Sequence, residues 1–166
     1  WVADEYGGLH CSYSPLDKRI VINASLLGAK ILSNIYHHSG DPKLKARARE
    51  MVLAASNYQQ SDGSFIHSVQ VGDAWRDSFH TGFKLVCIQS YASNCKDESF
   101  DDVMEKGFEY WRNNFFDEST GFSFYYDRAK RPDLVDLHCA AQALATFSIL
   151  GKTEEFELMS ARIATW

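Results

Sequence analysis

The sequence predicts an all-α protein, an α/α toroid of about three helical hairpins, and three observations carry that expectation. A glycine turn, a loop and a strongly apolar helix recur, the helices opening at Asn23, His80 and His138, 57 and 58 residues apart. Fixed-period self-similarity marks a repeat architecture. Within each period an amphipathic helix follows the apolar one, so buried and solvated helices alternate. Gly40, Asn94 and Gly151 stand where the apolar helices should stop, as residues that accept the left-handed conformation.

The first unit opens on Gly7-Gly8-Leu9, followed by His10-Cys11-Ser12-Tyr13. Its inner helix carries Ala24, Leu27, Gly28, Ile31, Leu32 and Ile35 round most of its circumference, and a helix of that kind is buried. Asp41-Pro42 starts the outer helix, an N-cap acid with proline at the first helical position. Lys43, Lys45, Arg47, Arg49 and Glu50 give that helix its solvated side. The second unit repeats the plan: the turn Asp62-Gly63-Ser64-Phe65 with His67-Ser68, then an apolar helix with Phe79, Phe83, Leu85, Val86, Ile88 and Tyr91. Ser99, with Asp102 three residues on, reads as the start of its outer helix. The third unit has Gly121-Phe122-Ser123-Phe124 before Tyr125-Tyr126, then Ala140, Ala141, Ala143, Leu144, Phe147 and Ile149, and a start at Thr153-Glu154-Glu155. Leu27, Phe83 and Leu144 are expected among the most buried residues.

Residues 1–166 read as a single α/α-hairpin repeat domain. Trp1 to Glu5 leads straight into a Gly-Gly turn that belongs at the tail of an outer helix, and Ala161 to Trp166 stops at the same point of the last unit. A closed ring of six such units needs roughly 350 residues at this period, so the chain reads as a fragment of a larger toroid. The remaining half of the toroid, or a second copy, is then the expected partner, and helices 21–39 and 138–166 should expose apolar flanks.

An apolar content of 45% with 14% aromatic supports a packed core, and no apolar run approaches the roughly 20 residues of a membrane span. A net charge of −5 without a basic stripe argues against nucleic acid as partner. Cys11, Cys87, Cys95 and Cys139 form no CxxC pair, and Cys87 and Cys95 lie about 12 Å apart along one helix, too far to bridge. Free buried thiols indicate a reducing, cytoplasmic setting. Asp136, His138 and Cys139 match no common zinc-ligand spacing, so no metal and no cofactor is expected.

In a ring of hairpins the N-termini of the inner helices converge on one mouth, with their free N–H groups and positive dipole ends. The loops there bring an acid before a histidine twice, Asp77 ahead of His80 and Asp136 ahead of His138. Tyr13, Trp75, Tyr125 and Tyr126 lie nearby with Arg76 and Arg131. Aromatic platforms beside carboxylate, arginine and histidine suit a saccharide, whose C–H faces stack while its hydroxyls and carboxylate need fixed partners. The competing reading of the same residues is structural, with Asp77 an N-cap and the histidines hydrogen-bonded in the core.

Gln59-Gln60-Ser61-Asp62-Gly63-Ser64-Phe65 resembles the glutamine–glycine–aromatic turn of squalene-cyclase and prenyltransferase toroids, with Phe where Trp is usual. Trp75 to Phe83 and Asp136 to Gln142 resemble bacterial and archaeal polysaccharide-biosynthesis proteins of the α/α-toroid class, six-hairpin glycosidase-like in plan. Phe79-His80-Thr81 before an apolar helix resembles the C-terminal domain of glucuronyl C5-epimerases. These resemblances imply a glycan-processing toroid, an epimerase or lyase acting on an acidic (uronate) saccharide. His80, His138 and Tyr126 would then carry protons, Asp77 and Asp136 orient them, and Arg76 and Arg131 hold the carboxylate, with Trp75, Tyr13 and Tyr125 as binding surfaces. A glycosidase would instead use Asp77 and Asp136 as its carboxylate pair.

Two alternatives stand beside this: an isoprenoid-handling toroid and a noncatalytic carbohydrate-binding scaffold. No DxDD acid is present, which removes the proton donor of a protonation-initiated terpene cyclase. Asp101-Asp102-Val103-Met104-Glu105 mimics a diphosphate-binding motif but opens a solvated outer helix, where first-turn acids complement the helix dipole.

Overall fold

In the computed structural model, which describes residues 1–70, 75–125 and 136–165, six helices form three hairpins. The inner helices are α1 (Ile22–Ser39), α3 (Ser78–Cys95) and α5 (Leu137–Ile149); the outer ones are α2 (Pro42–Ser56), α4 (Asp101–Phe115) and α6 (Thr153–Ile163). Inner-helix starts are therefore 56 and 59 residues apart, each one or two residues before the expected opening. α1 packs against α3 and α3 against α5, with each outer helix against its own inner helix. Short antiparallel pairs mark the turns: β1 (Val2–Ala3) with β2 (Leu9–His10), and β3 (Phe116–Asp117) with β4 (Phe122–Ser123).

The core follows from this order. Only α3 has an inner helix on both sides, and it is the most buried, with Leu85, Cys87, Ile88 and Tyr91 fully enclosed. Trp111 and Phe116 close edge-on against Phe147, each with ring centroids 5.1 Å away, which couples α4 and the turn after it to α5. Each such aromatic contributes roughly 1.5–3 kcal/mol through burial. Trp111 also donates its indole N–H to the Ser78 carbonyl at 2.9 Å, so the buried ring leaves no polar atom unpaired.

Leu27, Phe83 and Leu144 are not the core: Leu27 is 41% exposed and the other two are half-buried. Apolar residues all round α1 suggested full burial, but α1 has an inner neighbour on one side only, and its Leu27, Ile31 and Ile35 face outward one turn apart. Helix ends differ as well. Gly40 takes the left-handed conformation after α1 as expected, whereas α3 runs past Asn94 and Lys96 takes that conformation instead, at φ 50°. The Asn94 amide is held by Ser33 and Asn34 of α1. Asp41 caps α2, but Ser99 does not cap α4, because its hydroxyl and its N–H both go to Asp97.

A backbone device joins the units. The first N–H of α1, that of Ile22, donates to the His67 carbonyl of the next turn, and the first N–H of α3, that of Ser78, donates to the Tyr125 carbonyl. Helix N-termini leave four N–H groups without intrahelical acceptors, and here the following unit satisfies one of them.

Candidate active site

Asp77 anchors the site because it is the N-cap of α3. Its Oδ1 accepts the His80 backbone N–H at 2.8 Å, while its Oδ2 takes the His80 ring Nδ1 at 2.7 Å. The carboxylate is only 1% exposed, whereas the imidazole keeps 25% of its surface. An ionised carboxylate only accepts hydrogen bonds, so Nδ1 carries the proton and Nε2 of the neutral ring is left with its lone pair. Cap and ring-holder are thus one residue: Asp77 closes the start of α3 and holds the His80 ring with the same carboxylate.

Beside this pair lies an open cleft of about 440 Å³ between the loop before α1 and the N-terminal turns of α1 and α3. Its lining includes Tyr13, Arg19, Asn23, His67, Phe79 and His80. Trp75 stacks on His67 with centroids 4.2 Å apart, and both rings meet the His80 imidazole edge-on, at 5.1 and 5.0 Å. The aromatic wall therefore fixes the His80 ring on one side while Asp77 holds it from behind. The buried Oδ1 of Asn23 has no hydrogen-bond partner among the described residues. Arg19 puts a guanidinium at the rim, paired with Asp17 at 2.7 Å.

The second acid–histidine pair is not built like the first. Asp136 caps α5 through the Cys139 N–H at 3.0 Å, so the residue equivalent to His80 is Cys139, and His138 lies one position away on the exposed side. Among the described residues no hydrogen bond joins Asp136 to His138. His138 still belongs to the same mouth, because its ring sits 4.8 Å from Phe79, whose ring also meets His80. Burial, helped by Asp136 and Asp77, pushes the Cys139 thiol up to about 12. No group of three metal-ligating side chains forms among the described residues.

Of the other expected residues, Tyr13 lines the cleft and Trp75 stacks on the cleft-lining His67. Arg76 is half-buried next to Asp77, outside the cleft lining, and its Nε finds no hydrogen-bond partner among the described residues. Tyr125 contributes its backbone carbonyl to Ser78 and does not line the cleft. Tyr126 and Arg131 lie outside the described residues.

His67, Arg19 and Asn23 line the cleft although the sequence assigns them no site role; Arg19 and Asn23 do lie in a loop expected at the mouth. The recurrence of a polar residue four positions past the turn glycine was the available signal for His67. A different cluster looks catalytic and is not. His10 joins Asp4 at 2.9 Å and Ser25 at 3.0 Å, a carboxylate–imidazole–hydroxyl line, but His10 and Ser25 are fully buried and no substrate reaches them. The cluster ties the first turn to α1. Burial pushes the Asp4 carboxyl up, and hydrogen bonds from His10, Gly8, Tyr58 and Tyr6 more than offset it, leaving the group below its ordinary value.

The sequence matches no protein-family model and no curated protein. Solved structures of similar fold include two described by their activity. One is described as a D-mannose isomerase, with a TM-score of 0.69 at 12% identity over 95% of this chain. The other is described as a sugar epimerase from a ruminal bacterium, with a TM-score of 0.66 at 13% identity over 96% of this chain. This chain spans 45% and 48% of their lengths. The likeness is one of fold.

Proposed function

We propose that this chain contributes a proton-transfer site to a carbohydrate isomerase or epimerase, with His80 as the group that moves the proton. The observation that carries this reading is the buried Asp77 carboxylate on Nδ1 of His80, which leaves Nε2 as the basic atom of a ring bordering an open, aromatic-walled cleft. Epimerisation or isomerisation removes a proton from the carbon next to a carbonyl or carboxylate and returns one to the opposite face or the neighbouring atom. Nε2 of His80 accepts that proton, and Asp77 stabilises the resulting imidazolium, an arrangement worth about 10²–10⁴ in rate. His138 or Tyr126 returns the proton, and the negative charge left on the sugar oxygen meets Arg19 at the rim. The described fold similarity to a sugar isomerase and a sugar epimerase supports the same class.

The acidic, uronate-type substrate is the finer part of the proposal, and Arg19 is its support, as a cation bordering the cleft. A glycosidase reading fares worse, because Asp77 is shut from solvent and both Asp77 and Asp136 are occupied in capping their own helices. We place the protein in the cytoplasm on the strength of its free thiols.

Incubation with aldoses, ketoses and uronates in D₂O tests this, with exchange at the carbon next to the carbonyl or carboxyl read by NMR. His80→Asn keeps an amide donor for the buried Asp77, so stability should fall by no more than about 1–2 kcal/mol while exchange drops about 100-fold or more. Undiminished exchange in this variant and in His138→Ala would remove both histidines from the chemistry.

A further inference from the structure

Lys84 lies one turn beyond His80 on α3, and its side chain is buried, 1% exposed. Burial of a lysine demands a reason, since isolated charge is expelled from low dielectric. Its Nζ donates to the carbonyl of Ile66 at 3.0 Å and that of Phe65 at 3.4 Å, the two residues immediately before His67. The same Nζ feels the buried Asp77 carboxylate favourably and the Arg76 guanidinium unfavourably. Lys84 is enclosed and does not line the cleft, which excludes it as a nucleophile toward substrate.

Its hydrogen bonds tie Lys84 to the segment before His67, and its charge is felt at Asp77. We propose that Lys84 is a positioning residue: its hydrogen bonds to Phe65 and Ile66 hold the segment that delivers His67 and its Trp75 stack, and its charge acts on His80 through Asp77. The inference rests on the Asp77–His80 pair being the proton-transferring one, but it concerns the electrostatics of that pair and is measurable without substrate.

The charged groups that act on it are Asp77 and Arg76 at the start of α3, with His80 one turn before it on the same helix. Burial drives the Lys84 ammonium down to about 7, with Asp77 opposing and Arg76 assisting, so its charge is lost near neutral pH. Loss of a cation near Asp77 favours the imidazolium form of His80.

NMR titration of the His80 Cε1–H signal tests the proposal. Lys84→Gln keeps a donor for the Ile66 carbonyl and removes the charge, and should raise the His80 midpoint by roughly 0.5–1 unit. Lys84→Arg, which retains the charge, should restore it toward the unsubstituted value. Equal His80 midpoints in a folded Lys84→Gln variant and the unsubstituted chain would overturn the electrostatic role. Should Lys84→Gln fail to fold, the unsubstituted chain with ¹⁵N-labelled lysine decides: the His80 signal should carry a second inflection coinciding with loss of the Lys84 proton, and a single inflection overturns the proposal. Because no activity is measured, a positive result alongside failed sugar turnover leaves the coupling intact and sinks only the functional reading.

Discussion

Buried titratable residues make the stability of this protein depend on pH in three separate windows. Lys84, held near 7 against an ordinary 10.5, binds fewer protons folded than unfolded between those values, so its contribution to stability rises with pH through that window. Cys87 and Cys139, pushed up to about 12 from 9.0, keep protons that the unfolded chain loses, and stability falls above pH 9. Asp97 acts in the same direction as Lys84 but at acid pH. Burial raises its carboxyl, but hydrogen bonds from Ser99 and Tyr91 and the charge of Arg49 bring it to about 2, so stability present above 3.8 is lost as pH falls toward 2. Urea unfolding should therefore show stability climbing by about 1–2 kcal/mol from pH 7 to 9 and declining beyond. A curve that is flat from 7 to 9, or that Lys84→Gln leaves unchanged, contradicts this account of Lys84. Sequence gave access to Asp77 because an acid three residues before a helical histidine is a local pattern. Lys84 was hidden, since one lysine in an apolar helix looks like a solvent-facing residue until the Phe65 and Ile66 carbonyls are brought to it from 18 and 19 residues away.

The turn joining α2 to α3 shows how one element is fastened to its neighbour. Gln59 donates from its amide to the Gly63 carbonyl at 3.1 Å and to the Val103 carbonyl of α4 at 2.9 Å, bridging the turn to the next outer helix. Gly63 lies at φ 85° directly against the Lys106 carbonyl, so a Cβ there meets both a strained backbone and a steric clash. Gly40 has a similar φ of 71° but open space around it. Gly63→Ala should accordingly cost well over the roughly 1 kcal/mol expected of Gly40→Ala, by about 2 kcal/mol or more in urea or thermal unfolding. Equal losses would mean the turn moves away from α4 without penalty. The helices themselves were readable because apolar spacing and turn glycines are local signals. The missed caps at Asn94 and Ser99 were decided by partners on α1 and at Asp97.

For the molecule as a whole, the flanks are the feature that sequence anticipated and composition could not. α1 turns Leu27, Ile31 and Ile35 outward, and α5 exposes Leu137 and Ile149 with Ala141 and Ala145 between them. Repeat proteins normally place polar capping units over such faces. We propose that further hairpins or a second copy cover them, and the chain's coverage of less than half of each similar toroid accords with that. Sedimentation of the chain should show self-association that Ile31→Glu combined with Ile35→Lys abolishes. A monomer at every concentration would remove the second copy from consideration. No helix among the described residues is long and apolar enough to cross a membrane.

The carbonyls of His67 and Tyr125, which complete the first turns of α1 and α3, have a consequence for how such a molecule diversifies. Both residues stand four positions past a left-handed glycine, Gly63 and Gly121, and Cys11 stands at the same distance from Gly7. The structural duty at this position belongs to the backbone, so it places no demand on side-chain identity. Thiol, imidazole and phenol can occupy one geometric post in successive units. A duplicated hairpin thus arrives with its joint already functional and its side chain open to change, and the chemistry of the mouth can be rewritten one unit at a time while the joints between helices stay as they are.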